Sequence, residues 1–582
     1  MAPRGTRPTG SMSGTCERQT PRSSSGRFPW LVLLLLNAGV FLWAHAPALR
    51  NPLCCADDVR QQIFWMQQWR DTAIYPDDPL IDYARHYVPW GVKGLYGLVA
   101  CVIDPMVFSK WLPGILFVGL GMLLFAIGCR LAGSGAGWGI VGVYWLMPFF
   151  LEQLAGGLAR SFAAPLLAMF ILGWLQRRPA TVGVALLLQA LFIPYLAPVC
   201  AGAALALRFL PRKWRGDAWI WPAGWGQAAW LGVALALAFG WQATLAGSGF
   251  GPLVGARELA DPVFSSAGRY GFGVWPPASL FHELIVVPWG RIAPFQEWGT
   301  GAGVAAVITL VAALAWTAGR VDWRGLRPAL PLALGLAAAS LAAYGVARVF
   351  PLKFFIPNRY VMYPVHLAWT VLLGLAAHAA WRAWVPRRRA VGAILLLAAA
   401  GFGAWRLQGI GVYDFSADAP VIAAARALPQ DALVAGPPAL MDNVLAFGQR
   451  RVLVSFELAH PALLGAWAQI EPPRRALLAA YNSGNPADIR AFCDRYGVDW
   501  MVVDERDFPV EAGGKPETAA NPRAPDFLRG RPFFAPFDGQ IRSLLEGRNH
   551  FAILSHVDFP YVRLDPNRRL LDMRQSDGSN GE

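Results

Sequence analysis

Residues 176–215 read QRRPATVGVALLLQALFIPYLAPVCAGAALALRFLPRKWR, an apolar stretch closed at both ends by basic residues. Its middle is broken by Phe192-Ile193-Pro194-Tyr195-Leu196-Ala197-Pro198. Crossing about 30 Å of hydrocarbon takes roughly 20 apolar residues, and short loops rich in Lys and Arg stay on the cytoplasmic side. If Arg177 and Arg178 share that side with Arg208, Arg212, Lys213 and Arg215, the stretch enters and leaves one face as two short helices, with its prolines near the turn. A single tilted span is the rival reading, and it inverts every segment downstream.

Composition places the whole chain in a bilayer. Its 582 residues are 55% hydrophobic and only 15% charged, too apolar for an ordinary soluble protein. The net charge of +14 sits in short clusters between apolar stretches, which is the positive-inside pattern. No nucleic-acid partner is expected.

Working back from residue 176, Trp30–Ala46 is the first span. Arg4, Arg7, Arg18, Arg22 and Arg27 precede it, so residues 1–29 form a basic cytoplasmic arm before an uncleaved span. Trp111–Leu131, Trp138–Leu151 and Phe162–Leu175 follow. Working forward with the hairpin reading, Ala218–Leu245, Gly301–Ala318, Pro328–Ala347, Tyr360–Trp381 and Ala390–Leu407 complete about eleven spans. Arg320, Arg324 and Arg327, then Arg382, Arg387, Arg388 and Arg389, fall in the inferred cytoplasmic segments and agree with that parity. The expectation is an α-helical polytopic membrane protein with a transmembrane domain over 30–407. Its polar outer-face regions are the loops 47–110 and 247–299 and everything from 408 to 582. The preferred setting is a bacterial inner membrane with a cytoplasmic N-terminus.

After Gln408 the pattern changes. Ala432–Ala435, Arg451–Phe456 and Trp500–Asp504 read as strands and Pro486–Tyr496 as a helix, together a small extracytoplasmic α/β domain. Residues 575–582 are polar and read as a frayed end. No glycine-rich phosphate loop adjoins these strands and no fixed-period repeat is visible, so no nucleotide cofactor is expected. The seven cysteines form no framework and the eight histidines are scattered, which argues against a structural zinc or haem. A disulfide from Cys493 to Cys54 or Cys55 would tie the outer domain to the first loop, and the pairing is left open.

The first outer loop carries the chemistry. Cys54-Cys55-Ala56-Asp57-Asp58-Val59-Arg60-Gln61-Gln62-Ile63-Phe64-Trp65 sets two carboxylates some ten residues beyond the first span. A carboxylate at the bilayer surface can deprotonate an incoming hydroxyl or hold a divalent metal, and nearby cations can neutralise a departing phosphate. The candidate cations are Arg160 in Gly156-Gly157-Leu158-Ala159-Arg160, Arg269 in Gly268-Arg269-Tyr270, and Arg348, Lys353 and Arg359 around Phe350–Tyr363. Val88–Ile103 is apolar but short and fits an interfacial helix; residues 273–290 read as a second interfacial element.

An apolar bundle of this size, the acidic first loop, the Phe355-Ile356-Pro357-Asn358-Arg359-Tyr360 segment before a late span and a C-terminal outer domain resemble the GT-C superfamily. These are integral-membrane glycosyltransferases, among them protein O-mannosyltransferases and lipid A aminoarabinose transferases. The resemblance covers Trp30 to Leu407. It implies inverting transfer of a sugar from a polyprenyl-phosphate donor to a lipid, glycan or protein acceptor. Asp57 or Asp58 would act as base or as ligand of a divalent metal such as Mg or Mn. Arg359 and Lys353 would bind the donor phosphate, with Arg160 and Arg269 as weaker additions.

Each residue has a plainer role to set beside this one. Asp58 can be a helix N-cap, and Arg359 with Tyr360 can anchor a span at the interface. Asp77, Asp78 and Asp82 suit a solvated turn, and His86 an ordinary interfacial position. A transporter or flippase of lipid-linked sugars would show ionisable groups inside spans and repeated halves, and neither is evident. A non-catalytic envelope assembly protein is the third reading.

Overall fold

The computed structural model describes residues 27–211, 219–255, 257–258, 280, 284, 326–327, 329–350, 353–354, 356–384, 389–459, 461–508, 552–555 and 557–574. Arg269, the element at 273–290, the expected span Gly301–Ala318, most of the basic arm and the 575–582 tail lie outside these residues.

Along the chain, α1 (Arg27–Ala44) leads into β1 (Cys54–Cys55), the one-turn α2 (Val59–Gln62), α3 (Pro79–Tyr87) and α4 (Trp90–Ala100). The bundle continues with α5 (Pro105–Ala132), α6 (Ser134–Leu146), α7 (Pro148–Leu154), α8 (Ala163–Leu175), α9 (Pro179–Phe192), α10 (Leu196–Phe209) and α11 (Trp225–Ala246). It closes with α12 (Leu330–Val349), α13 (Arg359–Trp384) and α14 (Arg389–Arg406). Among the described residues, α5, α11, α12 and α13 are long and apolar enough to cross a membrane. The pair α6 and α7, bent by 69°, makes a fifth when taken as one span. Most of the remaining expected spans are shorter apolar helices.

The stretch between Arg178 and Arg208 is not one continuous helix. It forms α9 and α10, of 14 residues each. At 1.5 Å per residue each is about 21 Å long, short of the hydrocarbon thickness. The break falls at Ile193-Pro194-Tyr195, because Pro194 has no amide hydrogen to carry the helical ladder forward.

Two local features position the outer loops. Asp104 starts α5 as an N-cap, its carboxylate accepting from the Met106 and Val107 amides at 2.7 and 3.2 Å. Between α6 and α13 the backbones nearly touch: a Cβ on Gly139 would lie 2.5 Å from the Gly374 carbonyl oxygen. Small residues permit such an approach in lipid. The contact seats α13 against the Met147-Pro148 bend, and Phe149 stacks on His366 with ring centroids 3.5 Å apart.

The C-terminal region contains the expected small sheet domain. After β2 (Tyr413–Asp414), the strands β3 (Leu433–Ala435), β4 (Arg451–Val452), β5 (Trp500–Asp504), β6 (Tyr561–Asp565) and β7 (Arg568–Asp572) form one mixed sheet in the order β4-β3-β5-β7-β6. β3 is parallel to β4 and β5, while β7 is antiparallel to β5 and β6. The helices are α15 (Ala419–Ala427), α16 (Pro438–Asn443), α17 (Leu464–Tyr481) and α18 (Pro486–Tyr496). Strand alternation divides the core in two. Val434, Val502 and Leu570 join a buried cluster continuous with the bundle. Ala435, Met501, Val503 and Leu571 face a second cluster with Leu477, Tyr481 and Phe492.

The open disulfide pairing is not what ties loop to domain. Cys54, Cys55 and Cys493 are all free and buried. Cys493 packs within the second cluster, its sulfur 3.6 Å from that of Met501. Cys54 and Cys55 instead form β1, antiparallel to Asp414 and Tyr413, so the loop is joined to the domain by a two-stranded ladder.

Candidate active site

Asp57 and Asp58 occupy the turn just before α2, and their side chains diverge. The Asp57 carboxylate pairs with Arg60 one turn on, and the two side chains are 13% and 4% exposed. Arg60 reaches away from the bundle. It donates to Asn443 Oδ1 at 2.9 Å, and its guanidinium lies 4.0 Å from the Phe415 ring centroid. Asn443 donates to Asp418 at 2.7 Å. Asp418 in turn pairs with Arg568, which is buried and also holds Asp565 at 2.7 Å. Burial alone disfavours the Arg60 cation, but Asp57, Asp442 and Glu457 around it keep it firmly protonated.

Asp58 turns the other way. It sits at the N-cap position of α2, yet its side chain makes no capping bond. Its Oδ2 accepts instead from Arg160, a residue 102 positions along the chain, and the pair is about one quarter exposed. The chain sets Arg160 there through Gly156 and Gly157, whose φ angles of +86° and +61° are left-handed. A Cβ on Gly156 would stand 2.9 Å from Val59 Cγ2 and 3.0 Å from Ala56 Cβ, so glycine is what lets this turn lie against the acidic loop. The Tyr96 hydroxyl donates to both glycine carbonyls, at 3.2 and 3.3 Å. Ser161 braces the far side by donating to the Leu154 carbonyl at 2.9 Å.

Arg359 completes the group. It is the first residue of α13, half-buried, and within electrostatic range of Asp58. Its Nη1 donates to Gln153 Oε1 at 3.2 Å, and the Tyr363 hydroxyl donates to the same oxygen at 3.2 Å. Tyr195, at the α9–α10 break, lies 3.5 Å from the Tyr363 hydroxyl. Gln153, Tyr195 and Tyr363 were not singled out from the sequence. The Glu152-Gln153 pair ending an apolar segment was the one available signal.

The structure thus brings Asp58, Arg160 and Arg359 into one neighbourhood and sends Asp57 elsewhere. Lys353 is exposed, its carbonyl accepting from Gln242 at 3.1 Å, and no described contact joins its ammonium to Asp58. The described residues do not group as a site for the expected divalent ion. Among the described residues no three His, Cys, Asp or Glu side chains group as a metal site, and each of the two aspartates already faces a guanidinium.

No protein-family model matches this chain, and no curated protein matches it in sequence. Solved structures do resemble it. An oligosaccharyltransferase from Archaeoglobus fulgidus, tethered to an acceptor peptide, is 14% identical at a TM-score of 0.47, covering 83% of this chain and 70% of that one. The same organism's oligosaccharyltransferase AglB, with an inhibitory peptide and a dolichol-phosphate, is 12% identical at a TM-score of 0.39 over 82% and 70% of the two chains. Both scores lie below 0.5, so function has to be read from this chain's own side chains.

Proposed function

We propose that this protein is a membrane glycosyltransferase that moves a sugar from a polyprenyl-phosphate donor to an extracytoplasmic acceptor with inversion. The observation that carries the proposal is the partly exposed Asp58 carboxylate paired with Arg160, with the Arg359 guanidinium within electrostatic range of it. Asp58 Oδ2 takes the Arg160 guanidinium, leaving Oδ1 to accept the proton of an incoming hydroxyl. As that oxygen bonds to the anomeric carbon, the bond to phosphate breaks on the opposite face. Arg359 and Arg160 then stabilise the departing phosphate, since guanidinium groups suit phosphate oxygens. Lys353, exposed nearby in sequence, and Arg269 remain secondary candidates for the donor. Asp57 serves as a fastener through Arg60 rather than as the base.

The test is transfer from a panel of radiolabelled polyprenyl-phosphate sugars to membrane acceptors. General-base roles contribute about 10²- to 10⁴-fold. Asp58→Asn is expected to lose activity on that scale with an unchanged melting temperature, and Asp57→Asn to lose stability more than turnover. Full transfer by Asp58→Asn would overturn the assignment. Movement of lipid-linked sugar between leaflets, with no transfer from any donor, would replace the enzyme by a transporter.

A further inference from the structure

The bend at Met147-Pro148 brings α7 against the first turns of α13. Phe149 stacks on His366 there, and its ring centroid is 5.9 Å from that of Tyr363. Gln153, one residue before the end of α7, is 8% exposed. Arg359 and Tyr363 lie four residues apart on α13 and so share a face. Gln153 Oε1 accepts a hydrogen bond from each, at 3.2 Å from Arg359 Nη1 and 3.2 Å from the Tyr363 hydroxyl. An amide oxygen has two lone pairs, and both are used. The backbone of the same residue serves the other cation. Its carbonyl accepts from Ser161 Oγ at 3.1 Å, and Ser161, which also accepts from the Leu158 amide at 2.9 Å, is the chain neighbour of Arg160. One residue thus ties together the two elements that carry Arg359 and Arg160.

We propose that Gln153 is a positioning residue for a lipid-linked phosphate: it aligns Arg359 with the Arg160 turn and leaves the charge of Arg359 whole. Neutrality is the property that matters. A glutamate would make the same two contacts but would cancel the guanidinium charge, whereas Asp58, the carboxylate within electrostatic range, already pairs with Arg160. The hydrogen bonds from Arg359 to Gln153 and to Met362 Sδ both leave from Nη1. The guanidinium is held by one corner, keeps part of its surface exposed, and turns its other N–H groups to phosphate oxygens. The inference rests on the transfer reading, whose donor brings that phosphate to Arg359.

The experiment compares binding of a tritiated polyprenyl phosphate and of the uncharged polyprenol to the full chain in nanodiscs. The wild type is expected to prefer the phosphate. Gln153→Leu should lower phosphate affinity about tenfold, as a hydrogen bond to a charged group is lost, and leave polyprenol binding alone. Gln153→Glu, the same shape with both contacts kept, should lose phosphate affinity to a similar extent. Because Gln153 acts through Arg359, adding Gln153→Leu to Arg359→Met should change little more. Wild-type affinity in Gln153→Glu would reduce the residue to a brace and overturn the proposal, as would equal loss of both lipids in that variant or additive losses in the double variant. A phosphate preference that survives in Gln153→Leu defeats this inference alone. No preference in the wild type defeats the transfer reading with it.

Discussion

Asp57 faces a guanidinium that is 4% exposed and bonded to the C-terminal domain, whereas Asp58, one residue on, meets a guanidinium that is 24% exposed at the end of the bundle. The surroundings differ in kind. The Asp57 side is a chain of side chains, Arg60, Asn443, Asp418 and Arg568, that runs from the first loop into the β6–β7 turn. The Asp58 side has its cations on separate elements, the 156–160 turn and the start of α13. A buried network in which each side chain has a charged or polar partner holds one arrangement. A partly exposed pair can exchange one partner for a ligand. Two identical side chains are therefore given different surroundings, one by the next turn of chain and the other by a residue 102 positions away.

The sharpest way to break that contrast is to remove each arginine in turn. Arg60→Met strands Asp57 and removes the positive charge near Asp442 and Glu457, and breaking a buried pair in this way costs about 3–5 kcal/mol. The expected outcome is a clear fall in melting temperature, with faster amide exchange in 57–67. Arg160→Met removes a partly exposed pair worth about 0–1 kcal/mol, so melting should barely move while transfer falls. Equal destabilisation by both variants would show the two sides to be alike.

Next comes the turn that carries Arg160. Gly156→Val forces a β-branched residue to a φ of +86° and drives its Cβ against Val59 and Ala56. Strain of about 1–3 kcal/mol adds to overpacking of similar size. Transfer should drop along with stability, and Gly156→Ala should show a smaller loss of both. An unchanged rate in Gly156→Val would detach Arg160 from the chemistry.

Much of this architecture was legible in the chain. Pro194 located the break between α9 and α10, and the bounds of α18 and β5 fell where expected, because Asn485 caps the former and a short apolar run closed by Asp504 marks the latter. The hairpin of β6 and β7 was missed; its arginine-rich strands show little apolar alternation, and Arg568 is buried by its carboxylate partners rather than by apolar character. The acidic pair was visible as a pair, and adjacency on a regular backbone already sends its two side chains different ways. Which partner each one meets was not visible, because Asn443, Asp418 and Arg160 lie far along the chain. Asp78 was read as a solvated turn residue, yet it is buried under the sheet domain. Local sequence reports a cap without reporting what covers it.

Asp78 gives a pH-dependent effect with a clean sign. Burial, only partly offset by the Leu80 amide and Arg451, pushes its carboxyl from the ordinary 3.8 up to about 6. Between those two values the folded protein holds a proton that the unfolded chain has released, so stability falls as pH rises from about 4 to about 6 and is flat beyond. At about 1.4 kcal/mol per unit the loss is at most about 3 kcal/mol. Asp78→Asn cannot ionise and keeps the cap, so it should match the wild type near pH 4 and melt higher at pH 7. A difference that stays constant across that window would mean that Asp78 is ionised in the fold throughout.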